Sequence, residues 1–168
     1  MNITFITGGQ RSGKSRFAQE LALKKSEQPI YIATARKWDA DFEQRIARHQ
    51  SDRGNMWQTI EKEKYISDIC LRGQTALLDC ITLWLTNFYA DHKFDIEKAL
   101  TEAKFEWNKF INQEGELIVV SNELGMGIHP ENEASRKFAD AQGWMNQHIA
   151  QQANNVYLMI SGIPVKIK

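Results

Sequence analysis

The chain is poor in cysteine and in surplus charge, and each shortage excludes something. Its two cysteines, Cys70 and Cys80, stand in a C-x9-C spacing with no histidine near them. That spacing is not a metal-ligand pattern, and two buried thiols are expected. Lysine plus arginine number 21 and aspartate plus glutamate 21, so the formal net charge is zero. A general nucleic-acid binder carries a basic surplus, which is missing. No apolar run approaches the ~18 residues that a membrane helix needs. The opening MNITFITGG has no basic stretch leading into a long apolar one, so no signal peptide is expected. These shortages together predict a reduced, cytoplasmic, soluble protein. Internal repeats, low-complexity tracts and linkers are also missing. With 168 residues, 42% of them hydrophobic, the chain fits one compact domain spanning residues 1–168.

Five short apolar runs are present: Ile3–Thr7, Ile30–Thr34, Thr75–Cys80, Leu117–Ser121 and Val156–Ser161. They are continuous rather than alternating, as in strands buried on both faces. Helical patterns separate them. The first begins in a glycine loop and runs to about Lys25, where KKSEQP and Pro29 end it. Others cover Asp41 to about Ser51, the tract after Cys80, Asp95 to about Asn112, and Glu133 to about Gln152. Surface turns are expected at Lys62–Lys64 and His92–Phe94. Strand and helix in alternation predict an α/β fold with a mainly parallel sheet flanked by helices. Ligands of such sheets bind beyond the carboxyl ends of the strands. Those ends carry TGGQRSGKS, ATAR, LLDC, VSNELGMG and SGIP.

Gly8, Gly13, Lys14 and Ser15 complete the pattern G-x-x-x-x-G-K-[ST], with a strand before and a helix after. Glycines let backbone N–H groups turn toward phosphate oxygens, and the helix N-terminus adds partial positive charge. Lys14 is expected on the β- and γ-phosphates and the Ser15 hydroxyl on Mg²⁺. Asp79, ending an apolar run, is either the acidic metal partner of such a loop or the N-cap of the next helix. Glu123 is equally a residue of a loop built for turning or a base, or a contact to substrate or metal. In DADFEQRIARHQSDR, Phe42, Ile46 and His49 share one helix face, with Arg45, Arg48 and Arg53 nearby. The guanidiniums suit a polyphosphate and would keep the imidazole neutral and nucleophilic. An ordinary surface helix with an Arg48–Asp52 ion pair fits the same residues. His92 falls in a polar turn, His129 in the glycine loop as a candidate ligand contact, and His148 in a helix with a structural role.

Several stretches in this order resemble one family. They are TGGQRSGKSRFAQ, YIATA, RIARHQSDR, Trp57–Glu61 as W-x-T-x-E, LLDCITLWLTN, VSNELGMGIHPENEASRKFAD, Gly143–Gln147 as G-x-x-NQ, and SGIPVKIK. The chain resembles the bifunctional adenosylcobinamide kinase / adenosylcobinamide-phosphate guanylyltransferases over essentially its whole length. The resemblance implies a RecA-like P-loop fold and a homotrimer. It also implies phosphorylation of the aminopropanol hydroxyl of adenosylcobinamide with ATP or GTP. GMP then passes from GTP to the resulting phosphate through a guanylyl-histidine, with His49 in the nucleophile position. Nucleotide contacts are implied at Gly8, Gly9, Gln10, Arg11, Ser12, Gly13, Lys14 and Ser15. Further ones are implied at Thr34, Ala35 and Arg36, at Gln50, Ser51, Asp52 and Arg53, and at Glu61 and Asp79. Gly54, His129 and Ala139 depart from the family pattern, which commonly has a proline, an aliphatic residue and an arginine there. The loop alone would also serve another small-molecule kinase or a nucleotide switch.

Overall fold

The computed structural model describes residues 1–36 and 56–168. The helix expected from Asp41 to Ser51 lies outside the described residues, and with it His49, Gln50, Ser51, Asp52 and Arg53. Among the described residues the strands are β1 (Asn2–Gly8), β2 (Ile30–Ala33), β3 (Gln58–Glu61), β4 (Thr75–Asp79), β5 (Glu116–Val120), β6 (Asn155–Ile160) and β7 (Ile163–Lys166). The helices there are α1 (Lys14–Lys25), α2 (Ile81–Asp91), α3 (Ile96–Phe110) and α4 (Glu133–Gln152), and a 3₁₀ turn spans Ile66–Asp68.

The strands form one sheet in the order β3-β2-β4-β5-β1-β6-β7. Every pairing is parallel except β6 with β7. The five strands legible in the sequence are the inner ones, and they form the mainly parallel sheet that was expected. The two strands not anticipated, β3 and β7, are the edges. Both are short and mostly exposed, so neither carries the apolar run of an inner strand. Pro164 sits on β7, where an edge strand tolerates a residue that cannot donate to the ladder.

Alternation along the strands divides the core. Ile6, Leu77, Ile118 and Val120 face α1, whose Ala18 and Ala22 are fully buried. Those two methyls let the helix backbone lie close to the sheet. Ile3, Phe5, Leu78, Leu117 and Val119 face the opposite way, toward Trp84, Phe88, Trp107, Phe110 and Met145 of α2, α3 and α4. The buried indoles are satisfied. Trp84 Nε1 donates to Lys64 O at 2.6 Å, and Trp107 Nε1 to Gln152 Oε1 at 2.9 Å.

One expectation needs correcting. Cys80 is buried but Cys70 is exposed; its neighbours Ile69 and Leu71 take the inward positions and leave it outside. The turns expected at Lys62–Lys64 and His92–Phe94 are present, and side chains from both join an ionic cluster. Lys64 Nζ lies 3.1 Å from Asp91 and 3.6 Å from Glu102, and 4.6 Å from the Phe88 ring centre. The His92 ring bonds Glu102 as well.

Candidate active site: a phosphate cradle at the sheet edge

The loop from Gly8 to Ser15 joins β1 to α1. Gly8 has φ 150° and Gly13 φ 95°, and between them Arg11 is also left-handed at φ 56°. A Cβ on Gly8 would lie 2.6 Å from Met159 O, so the close approach of β6 requires glycine there. Helices α3 and α4 are capped by side chains: Asp95 accepts from Lys98 N and Asn132 from Ser135 N. Helix α1 starts at Gly13 with no side-chain cap and no acid in its first turn. Among the described residues its opening N–H groups therefore have no capping anion, the arrangement that favours a bound phosphate.

Lys14 is 7% exposed. Its Nζ donates to Gly9 O at 2.6 Å and lies 3.5 Å from Ser12 Oγ. Burial lowers its pKa, and the neighbouring Cys80 and Asp79 oppose that shift. Burial, aided by the Asp79 carboxylate, pushes the Cys80 thiol up to about 12. Cys80 is thus an uncharged thiol at neutral pH.

Asp79 Oδ2 accepts the Tyr31 hydroxyl at 2.6 Å. The residue at the N-cap of α2 is Cys80, and no side chain caps that helix. Asp79 therefore does not take the capping role left open by the sequence. Tyr31 was not singled out beforehand. The signal was present in strand alternation: Tyr31 pairs with Leu77 and Ala33 with Asp79, which puts Tyr31 and Asp79 on one sheet face.

The other expected contacts spread along the same edge. Thr34 is fully buried. Its hydroxyl donates to Cys80 O and accepts from Cys80 N, while its carbonyl accepts from Asn87 Nδ2 at 2.8 Å. Its side chain ties β2 to the start of α2. Ala35 is half-buried beside it. Arg36 Nε donates to Glu63 at 2.6 Å and Nη1 to Asp91 at 2.7 Å; these carboxylates hold its pKa above the ordinary arginine value. Glu61 is exposed at the end of β3, in register with Ala33. Glu123 turns its side chain to Gly125 N at 2.8 Å, and its own N–H donates to Gly8 O at 3.0 Å. Gly9, Gln10 and Arg11 are exposed at the loop's tip, whereas Ser12 is buried and Ser15 half-buried. His129 is exposed, and His148 bonds Asn108 and Gln152 away from the cradle. The structure thus brings together the loop, Tyr31, Asp79 and Glu123.

A family model described as cobinamide kinase / cobinamide phosphate guanyltransferase matches residues 4–167. The chain belongs to this family, one of transferases. It is 38% identical to the bifunctional adenosylcobalamin biosynthesis protein CobP of Pseudomonas aeruginosa, over 97% of this chain and 95% of the relative. It is 35% identical to CobU of Escherichia coli, over 97% of this chain and 98% of that protein. The figures for CobU of Salmonella typhimurium are 35%, 97% and 98%. Among solved structures, a RadB recombinase aligns with 94% of this chain and 73% of its own at 12% identity, with a TM-score of 0.43.

Proposed function

We propose that this chain phosphorylates adenosylcobinamide and then transfers GMP from GTP to the product. Membership of the family over residues 4–167 is the observation that carries the reading. The uncapped start of α1 behind a complete P-loop supports it.

In the first reaction the substrate hydroxyl attacks the γ-phosphorus of ATP or GTP in line. The bond to the β-bridging oxygen breaks, and the hydroxyl proton leaves. Lys14 would exchange a neutral acceptor, Gly9 O, for anionic phosphate oxygens, a bond roughly twice as strong. The first-turn N–H groups of α1 would take the remaining phosphate oxygens.

In the second reaction a neutral His49 nitrogen attacks the α-phosphorus of GTP and pyrophosphate leaves. Adenosylcobinamide phosphate then attacks the same phosphorus, the P–N bond breaks, and adenosylcobinamide-GDP forms. The position of His49 in RIARHQSDR supports this role. Gln50, Ser51, Asp52, Arg53, Arg36 and Glu61 are proposed as nucleotide contacts through the same resemblance.

The residues present fit Mg²⁺. Asp79 Oδ1 has no hydrogen bond among the described residues while Oδ2 holds Tyr31, and Ser15 adds a second hard oxygen donor. Ser15 and Asp79 would hold the ion, whose charge offsets that of the phosphates. We further infer a cytoplasmic homotrimer built from a single domain. No helix among the described residues is long and apolar enough to cross a membrane.

The test is incubation with α-labelled GTP followed by denaturation, with His49→Ala in parallel. Wild type should retain acid-labile label. His49→Ala should retain none, yet should still transfer labelled γ-phosphate to adenosylcobinamide. Label on a nitrogen of the alanine variant overturns the assignment, and equal loss of kinase activity makes His49 a shared phosphate contact. Another kinase with the same cradle, or a nucleotide switch, would leave no label on either protein.

A further inference from the structure

Beside the cradle lies an open groove of about 450 Å³, walled by Thr86, Tyr89, Phe94, Leu124, Pro130 and Phe138. We propose that it seats the apolar edge of the corrin ring of the acceptor substrate. The proposal rests on the reading given under Proposed function.

One wall is tied to the phosphate loop through Glu123, and the other to the neighbouring Asn122. Leu124 follows Glu123, whose N–H donates to Gly8 O at 3.0 Å. Thr86 lies one helical turn after Thr82, whose hydroxyl accepts from Asn122 N and Nδ2, both at 3.1 Å. A molecule in the groove therefore lies alongside the edge where phosphate is held. The volume suits part of a large ligand. The corrin ring of cobinamide carries methyl groups and amide side chains around a flat frame, and it bears its reactive hydroxyl on one flexible arm. Such a ligand can rest its ring edge on aromatics while the arm extends to the cradle.

Phe94 gives a second, independent pointer. It is 66% exposed, yet its backbone is left-handed at φ 67°. A bulky apolar residue is costly there on both counts, where asparagine or glycine would be cheaper. Its ring meets Tyr89 edge-on at 5.3 Å, and Tyr89 lies 5.7 Å from Phe138. Tyr89 is 7% exposed, so a fixed ring props an outward one. Ala139 lines the same groove with only a methyl group.

The experiment measures equilibrium dialysis of cobinamide, GTP affinity by calorimetry, and oligomeric state by analytical ultracentrifugation. It compares wild type with Phe94→Asn, which relieves the backbone, and Ala139→Leu, which fills the groove. Both variants should bind cobinamide about tenfold more weakly, the scale of one lost apolar contact. GTP affinity and oligomeric state should match wild type. Unchanged cobinamide affinity in both variants overturns the groove alone. Dissociation into smaller species shows that a second copy of the chain covers the groove and overturns it too. Wild type that does not bind cobinamide overturns the reading under Proposed function, and the groove with it.

Discussion

Replacing Gly8 by alanine tests the close approach on which the cradle is built. At φ 150° the backbone lies where residues with a Cβ are rarely found, a conformation that costs about 1–3 kcal/mol. The new methyl would also sit 2.6 Å from Met159 O and 2.9 Å from Ser12 Oγ. The hydroxyl can rotate away, but the carbonyl belongs to β6, which pairs with β1 through Gly8 and Met159. Relieving that overlap means separating two central strands, at a further ~1–3 kcal/mol. Gly8→Ala should therefore lose about 3 kcal/mol of stability. In a chain of 168 residues that is a fall of roughly 6–12 °C in Tm. Gly9 supplies the control. It is exposed, and nothing lies within 4 Å of a Cβ built there. Gly9→Ala should stay within about 0.5 kcal/mol of wild type, or gain slightly as the unfolded chain loses freedom. Urea denaturation of nucleotide-free protein reads both variants. Equal stabilities for Gly8→Ala and Gly9→Ala would refute the argument.

Two further outcomes follow from the same geometry. Lys14→Ala should lower both kinase and guanylyltransferase turnover by at least ~10²-fold, because one ammonium serves the phosphates in either reaction; near-normal turnover at saturating GTP would remove the loop from the chemistry. Arg36 above all, assisted by Lys64 and opposed by burial, holds the Asp91 carboxyl down at about 2 from its ordinary 3.8. A depressed carboxyl stabilises the fold above its unfolded value, and that stability is lost as pH falls through the folded one. Asp91→Asn should thus cost about 1 kcal/mol at pH 7, after discounting for solvent screening of a side chain 37% exposed. The gap to wild type should narrow below about pH 4 and close near pH 2 in acid unfolding curves. A gap independent of pH would mean that packing rather than charge accounts for it.

The inner strands were legible because burial on both faces writes them as unbroken apolar runs. Helix α4 was legible to its ends because Asn132 caps it and polar residues follow it. The edges were not, since Gln58–Glu61 and Ile163–Lys166 are short and exposed and share no apolar signature with their neighbours. In the site, the loop was legible because its chemistry needs glycine, lysine and serine at fixed spacing. Arg36 was read as a contact to nucleotide, but its ties to Glu63 and Asp91 were invisible. They join residues 27 and 55 positions apart, a distance that only folding closes. Thr34 illustrates the opposite difficulty. It lies in the right stretch, yet its hydroxyl is already engaged with the backbone of Cys80. Spacing names the residues near a ligand; it does not say which of them have polar atoms left to offer.

The ending SGIPVKIK has a role here that its sequence does not advertise. Ser161 at φ 50° and Gly162 at φ 87° turn β6 back into β7 and bring the Gly162 N–H to Ser12 O at 2.9 Å. A Cβ on Gly13 would come within 3.2 Å of Gly162 Cα. The phosphate loop is therefore held from behind at three points: Gly8 on Met159, Ser12 on Gly162 and Gly13 against Gly162. Glu123 N–H holds Gly8 O from the side of β5. Gly9, Gln10 and Arg11, by contrast, remain exposed. This division suits a loop that must present backbone donors to a charged ligand. Donors whose positions are fixed by neighbouring strands need little reorganisation when phosphate arrives, and less of the binding energy goes into ordering them. The β6–β7 turn thus fixes the phosphate loop from behind while lying outside it.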